Sequence, residues 1–213
     1  MMMLWSAGAA ALCLLVCLPF FFRYKHALRY KLAACYKCLG TLCAAALVLT
    51  AAVKLDPRCW ILFAGIMLHV AADWILEFSF HLGAAFFAAG HICYIAYFTN
   101  LCPPVALHLI CVVCLLAVIA FMFWRWRARI GKMMPLFSVY GVVLSAMSGC
   151  AIACLSAHTL QGQLIAAGGV LFFISDALIC GRTLFRADRT VDWAIMITYY
   201  CAQLLFGFSC LLQ

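Results

Sequence analysis

Charged residues are scarce in this chain: only 9% of its 213 residues are Asp, Glu, Lys or Arg, against about a quarter in an average soluble domain. Only six residues are acidic, whereas 70% are hydrophobic. A soluble core of this length cannot bury so much apolar surface, so the composition excludes an ordinary soluble fold. The chain also lacks a GxxxxGK[ST] phosphate loop and a GxGxxG turn, the motifs of the common nucleotide-binding modules.

Catalytic and metal-binding motifs are also absent. No G-x-S-x-G or H-E-x-x-H segment occurs, so acyl-enzyme and zincin chemistry have no support from the sequence. Most of the 15 cysteines lie in apolar runs, where a free Cys behaves as a small apolar residue. No Cys-x-x-Cys pair has a second pair at zinc-site spacing, so we expect neither a structural disulfide nor a zinc site.

Apolar runs dominate what the sequence does contain. They recur from end to end at roughly the 20-residue length that a membrane-spanning helix needs, and backbone in lipid must satisfy its own hydrogen bonds. We therefore predict one all-α transmembrane domain over residues 1–213, a polytopic bundle of about eight helices. The predicted spans are 3–22, 35–53, 59–78, 82–99, 103–124, 135–155, 161–181 and 191–212.

The net charge of +8 comes from basic residues in short loops, which indicates membrane topology and no nucleic-acid partner. The loops after spans 1, 5 and 7 hold twelve Lys and Arg, whereas the opposite side has only Lys54 and Arg58. Since cytoplasmic loops carry the excess of these residues, both termini are predicted to be non-cytoplasmic. The membrane itself would be the inner or plasma membrane in a bacterium and the endoplasmic reticulum in a eukaryote.

Two aspartates, Asp73 and Asp176, stand out inside predicted spans, where an ionisable group costs several kcal/mol and usually has a function. Asp73 and Asp176 each lie five residues before the inner end of their span, roughly 8 Å deep at the helical rise per residue. At equal depth the two carboxyls are expected to meet in one cavity. The alternative is that backbone or a serine satisfies each carboxyl separately.

Other polar side chains occupy the predicted spans. His91 and Tyr94 share a face of the fourth span, and Tyr200 and Gln203 share a face of the eighth. Each of them alone is typical of hydrogen bonding between membrane helices.

Two further residues, Lys37 and Tyr140, lie near the same predicted end of the bundle as the aspartates. This grouping predicts a cavity that opens to the inner leaflet. The ammonium group of Lys37 either reaches the lipid phosphates at the membrane surface or contacts a substrate.

Two other classes of function remain open on these residues. Intramembrane acids also suit a lipid or small-solute transporter, although no internal repeat is evident. A metal-dependent lipid hydrolase is the second alternative, with His69, His91, Asp73 and Asp176 as ligands. His69 and Asp73 have usable spacing at i and i+4.

Short motifs resemble those of the lysoplasmalogenase (YhhN-like) membrane family, in the same order along the chain. They are Lys37 at the start of the second helix, Ala72-Asp73, Gly83 to His91-x-x-Tyr94, Tyr140, Gly168 to Ser175-Asp176, and Thr198-Tyr199-Tyr200-x-Ala-Gln203. Ala72 stands where the family has Gly. The matches span most of the sequence, and their joint order is more specific than any one of them.

This resemblance implies hydrolysis of the vinyl ether bond of a lysoplasmalogen, giving a fatty aldehyde and a glycerophospho-ethanolamine or glycerophospho-choline. Vinyl ethers are cleaved by acid, and two carboxyls in one site can share the proton that is needed. Asp73 and Asp176 are therefore the predicted catalytic pair, without a cofactor or metal. The predicted substrate-binding residues are Lys37, His91, Tyr94, Tyr140, Ser175, Tyr199, Tyr200 and Gln203. The expected partners are a lysophospholipid and membrane lipid, and a homo-oligomer is left open.

Overall fold

The computed structural model describes residues 2–185 and 188–212, and helices account for nearly all of this part of the chain. It contains no strand, so the predicted all-α class is confirmed. Eight helices follow one another in this described part of the chain, and each helix coincides with one predicted span. They are α1 (Met2–Ala11, Leu12–Cys17 and Leu18–His26, the middle segment π-helical), α2 (Tyr30–Lys54), α3 (Cys59–Ile75), α4 (Phe80–Leu101), α5 (Ala106–Ile130), α6 (Met134–Ala153), α7 (Leu160–Leu184) and α8 (Arg189–Cys210).

Six stretches of the described chain are long and apolar enough to cross a membrane, which makes this a multi-pass membrane protein. The count is lower than eight for two reasons. Ala106–Ala157 is a single apolar stretch that contains both α5 and α6, joined by a 3₁₀ turn at Gly131–Met133. Helix α3 has only 17 residues, at the short end of the range of about 17–25 for a span.

Local sequence signals account for several helix ends. The Ser79 hydroxyl accepts a hydrogen bond from the backbone N–H of Leu82 at the start of α4, and the Thr159 hydroxyl caps α7 through Gly162 in the same way. Pro135 lies in the first turn of α6, where its missing N–H costs nothing.

Six helices close into a ring. Around it, α2 packs against α3, α3 against α4, α4 against α6, α6 against α7, α7 against α8, and α8 against α2. Helix α1 packs outside the ring, mainly on α2, and α5 packs on α6. The close approach of α5 to α6 depends on Gly149, because a Cβ there would lie 2.5 Å from the side chain of Val112. Most of the buried polar residues belong to the six ring helices, with Ser6 on α1, Asp56 before α3 and His108 on α5 as exceptions. The orientation of the bundle stays a prediction. Arg186, one of the twelve basic residues that it counts, lies outside the described residues.

Candidate active site

Asp73 is fully buried in an ion pair that joins three helices of the ring. The Lys37 ammonium of α2 lies 3.2 Å from Asp73 Oδ1. Asp73 Oδ2 accepts hydrogen bonds from the Thr41 hydroxyl at 2.6 Å and the Tyr199 hydroxyl at 2.9 Å. Lys37 is only 9% exposed. The charges are thus paired with each other and largely shielded from the surroundings.

Asp176 has a different set of partners on α4 and α6. The Tyr140 hydroxyl donates to Asp176 Oδ2 at 2.5 Å. His91 Nε2 lies 3.1 Å from the Tyr140 oxygen and 3.6 Å from Asp176 Oδ2. The imidazole is fully buried, whereas Asp176 keeps 9% of its surface exposed. The three side chains form one hydrogen-bonded chain, with the carboxyl at its accessible end.

A third cluster lies beside the Asp176 chain. The Gln203 amide donates to His69 Nδ1 at 2.8 Å, and its oxygen accepts from the Tyr94 hydroxyl at 2.6 Å. Because Nδ1 accepts, His69 Nε2 carries the proton and donates to the Phe87 carbonyl at 3.2 Å. The His69 ring can pack against the backbone of α4 only because residue 90 is glycine. A Cβ on Gly90 would lie 2.3 Å from a carbon of the ring.

A partly open cavity of about 80 Å³ lies between α4, α5, α6 and α7. Its walls are almost entirely apolar, with aromatic side chains from each of these helices. Asp176 and Tyr140 are the only lining side chains that carry oxygen, and neither Asp73 nor Lys37 reaches the cavity in the described structure. The arrangement presents one carboxyl and one hydroxyl to an otherwise apolar space that is partly open.

The expected meeting of the two aspartates is not seen. No hydrogen bond or ion pair joins the carboxyls of Asp73 and Asp176 among the described residues, and each has separate partners. The geometry agrees with the alternative that each carboxyl has its own polar partners. These partners are Lys, Thr, Tyr and His side chains, however, and not the backbone or a serine. Lys37 does not reach outwards to lipid phosphate, because Asp73 holds its ammonium. The catalytic roles of the two aspartates stay predictions.

The remaining predicted residues form contacts between helices. The Tyr200 hydroxyl donates to the Lys37 carbonyl at 3.1 Å, and the Ser175 hydroxyl donates to the Ile195 carbonyl at 3.1 Å. Both are buried and do not line the cavity. Sequence reasoning missed Thr41, although it lies four residues after Lys37 on the same face of α2.

The alternative metal site does not form in this part of the structure. Within residues 2–185 and 188–212, no three His, Cys, Asp or Glu side chains converge in a way that could hold a metal ion. Both ring nitrogens of His69 are taken by Gln203 and the Phe87 carbonyl.

The fold and the clusters define a class: a multi-pass helical membrane protein whose ring of helices encloses buried ionisable residues beside an apolar cavity. The model of the YhhN family matches residues 32–210. The chain therefore belongs to the YhhN family, and the match includes nearly the whole ring and leaves out α1. Neither the curated proteins nor the solved structures contain a significant match to this chain.

Proposed function

We propose that this YhhN-family protein is a hydrolase that cleaves the vinyl ether bond of a lysoplasmalogen. The products are a fatty aldehyde and a glycerophospho-ethanolamine or glycerophospho-choline. The observation that carries the proposal is the position of Asp176, a carboxyl at the wall of an otherwise apolar cavity. The similarity of its motifs to the lysoplasmalogenase family supports the same reaction.

The first step needs a proton donor beside the double bond. Protonated Asp176 transfers its proton to the terminal vinyl carbon, and the electron pair of the ether oxygen forms an oxocarbenium ion. The Asp176 carboxylate that results is negative and lies beside the new positive charge. Tyr140 donates a hydrogen bond to it at 2.5 Å, which stabilises the charge when it appears.

The second step adds water and restores the acid. A water molecule attacks the oxocarbenium carbon and gives one proton to the Asp176 carboxylate, which yields a hemiacetal. Asp176 then protonates the glycerol oxygen as the carbon–oxygen bond breaks, and it takes back the proton of the hemiacetal hydroxyl. One water is consumed and Asp176 ends protonated, so a single carboxyl serves as acid and base in turn.

Tyr140 and His91 can keep their hydrogen bonds whether the Asp176 carboxyl is protonated or ionised. With the carboxyl ionised, donors run from His91 Nε2–H to the Tyr140 oxygen and from Tyr140 to Asp176. With the carboxyl protonated on Oδ1, its Oδ2 still accepts from Tyr140, and the donors keep the same order. The chain therefore keeps its hydrogen bonds in either state and needs little rearrangement during the reaction.

Aldehyde release is the direct test of the proposed reaction. The purified full-length protein in detergent is expected to release one fatty aldehyde for each vinyl-ether lysolipid consumed. The matched saturated ether lysolipid should give no product, because it cannot be protonated to an oxocarbenium ion. Aldehyde is measured by coupled reduction, and a protein that cleaves neither lipid would contradict the proposal.

Replacing Tyr140 with Phe is expected to lower kcat about tenfold or more and to leave KM nearly unchanged. The ring stays in the cavity wall, but the carboxylate loses a charge-assisted hydrogen bond, which contributes about 1.5–3 kcal/mol. Tyr36→Phe is the control, since Tyr36 stacks on Phe20 away from the cavity. A Tyr140→Phe variant with unchanged kcat would remove the hydroxyl from the mechanism.

A further inference from the structure

None of the residues that line the cavity carries a positive charge that could bind the negative phosphate of a lysophospholipid. Lys37, the one buried Lys or Arg of the described chain, is paired with Asp73 at 3.2 Å and does not line the cavity. Burying the phosphate without a cation would be costly. Its partner must therefore lie where the cavity meets an exposed positive charge.

Such a charge lies at the end of the bundle where α5 and α7 terminate. Met122 lines the cavity, and Trp126 follows it one turn later on α5. The Trp126 ring lies 5.5 Å from the ring of Phe185, the residue that ends α7. The guanidinium of Arg129 lies over the same Phe185 ring, 4.4 Å from its centroid. Trp126, Phe185 and Arg129 thus form one cluster, one helical turn beyond the cavity-lining Met122 on α5.

The backbone of α5 changes direction at the same point. Trp126 has φ −115° and ψ 18°, which is not helical, and the helix continues beyond it to Ile130. Kinks of this kind redirect the residues that follow. Here the change of direction brings the last turn of α5, which contains Arg129, towards Phe185, the residue directly after α7.

The guanidinium of Arg129 is free of acidic partners. Arg182, near the same end of α7, is held by Asp192 at 2.6 Å, whereas no carboxylate in the described part of the chain pairs with Arg129. Arg129 is exposed and its guanidinium lies over the Phe185 ring, so its N–H groups can reach a ligand from outside the protein. An exposed planar group of this kind suits bidentate binding of a phosphate.

We propose that Arg129 binds the phosphate of the lysophospholipid while its vinyl ether lies at Asp176. The identity of the lipid rests on the proposed function. Phe185 follows Asp176 by nine residues, roughly 13 Å along α7. In the lipid, seven covalent bonds separate the protonated vinyl carbon from phosphorus, about 9 Å when extended. With a hydrogen bond at each end, one extended molecule is long enough to reach from Asp176 to the end of α7.

The test compares lipids that differ only in the phosphate. Wild type, Arg129→Gln and Arg127→Gln are assayed in detergent with 1-alkenyl-glycerophosphocholine and with 1-alkenylglycerol. Arg129→Gln is expected to raise KM about tenfold for the phospholipid and to leave KM for alkenylglycerol unchanged. Arg127→Gln removes the same charge from the same turn and is expected to change neither constant. Equal effects of Arg129→Gln on both lipids, or of the two variants on the phospholipid, would overturn the proposal.

A binding arm makes the result independent of turnover. Acyl lysophosphatidylcholine should raise the melting temperature of wild type and not of Arg129→Gln, whereas monoacylglycerol should affect both proteins equally. If wild type releases no aldehyde but shows this pattern, the proposed reaction fails and the phosphate subsite stands. Stabilisation of wild type by inorganic phosphate alone, lost in Arg129→Gln, would identify a free-anion site and overturn the lipid assignment.

Discussion

An Asp176→Asn variant is expected to lose aldehyde release by roughly 10²–10⁴-fold in kcat, the usual contribution of general acid–base catalysis. The amide has nearly the same volume and still accepts the hydrogen bond from Tyr140. It cannot deliver a proton to the vinyl carbon or receive one from water. Binding of a saturated ether lysolipid should therefore persist, and the melting temperature should change little. Rates at saturating substrate, together with lipid-induced thermal shifts, measure both properties.

Asp192→Asn is the matched control for this experiment. Asp192 lies near the start of α8, where it pairs with Arg182 at 2.6 Å, and does not line the cavity. Its replacement makes the same change of a carboxyl to an amide, at a residue outside the cavity wall. We expect near-normal turnover for each folded molecule. Wild-type activity in Asp176→Asn would leave the proposed mechanism without its acid.

Lys37→Met is expected to destabilise the bundle strongly. Asp73 would keep its bonds from Thr41 and Tyr199 but lose the only positive charge beside it. Breaking a buried pair from one side costs about 3–5 kcal/mol, because the remaining charge is left uncompensated. The expected result is a large drop in melting temperature in detergent. Lys54→Met, at the exposed end of the same helix, should change stability by less than about 0.5 kcal/mol.

The double variant Lys37→Met/Asp73→Asn separates a structural role of Asp73 from a catalytic one. Removing both charges should recover most of the lost stability, since the neutral amide can still accept from the two hydroxyls. Aldehyde release by the recovered protein should then approach that of wild type if the pair only holds α2, α3 and α8 together. A folded double variant without activity would instead assign Asp73 to the chemistry.

Much of the fold could be predicted from the sequence because lipid imposes simple constraints. Apolar runs and the prolines between them marked all eight helices, and a spanning backbone must be helical. The order in which the helices pack could not be predicted. Ring closure depends on contacts between helices distant in sequence, such as the hydrogen bond from Tyr200 of α8 to the Lys37 carbonyl of α2. A single sequence does not reveal which of many small-residue faces meet.

The candidate site was predictable as a set of residues and not as an arrangement. Asp73 and Asp176 were identified because charge is expensive in a membrane, and both are buried with polar partners. Equal depth, however, fixes position along the membrane normal only. Two residues at one depth can still lie on different sides of a helix ring, so their partners depend on helix rotation. The same uncertainty affected Lys37, whose flexible stem reaches inwards to Asp73.

The separation of the two aspartates has a consequence for how this protein can diverge. The Lys37–Asp73 pair connects α2, α3 and α8, whereas the cavity is formed mainly by α4, α5, α6 and α7. Changes of side-chain size in the cavity wall need not disturb the pair that joins the other helices. Descendants of one ancestral sequence can therefore acquire different ligand preferences while inheriting the same assembled bundle.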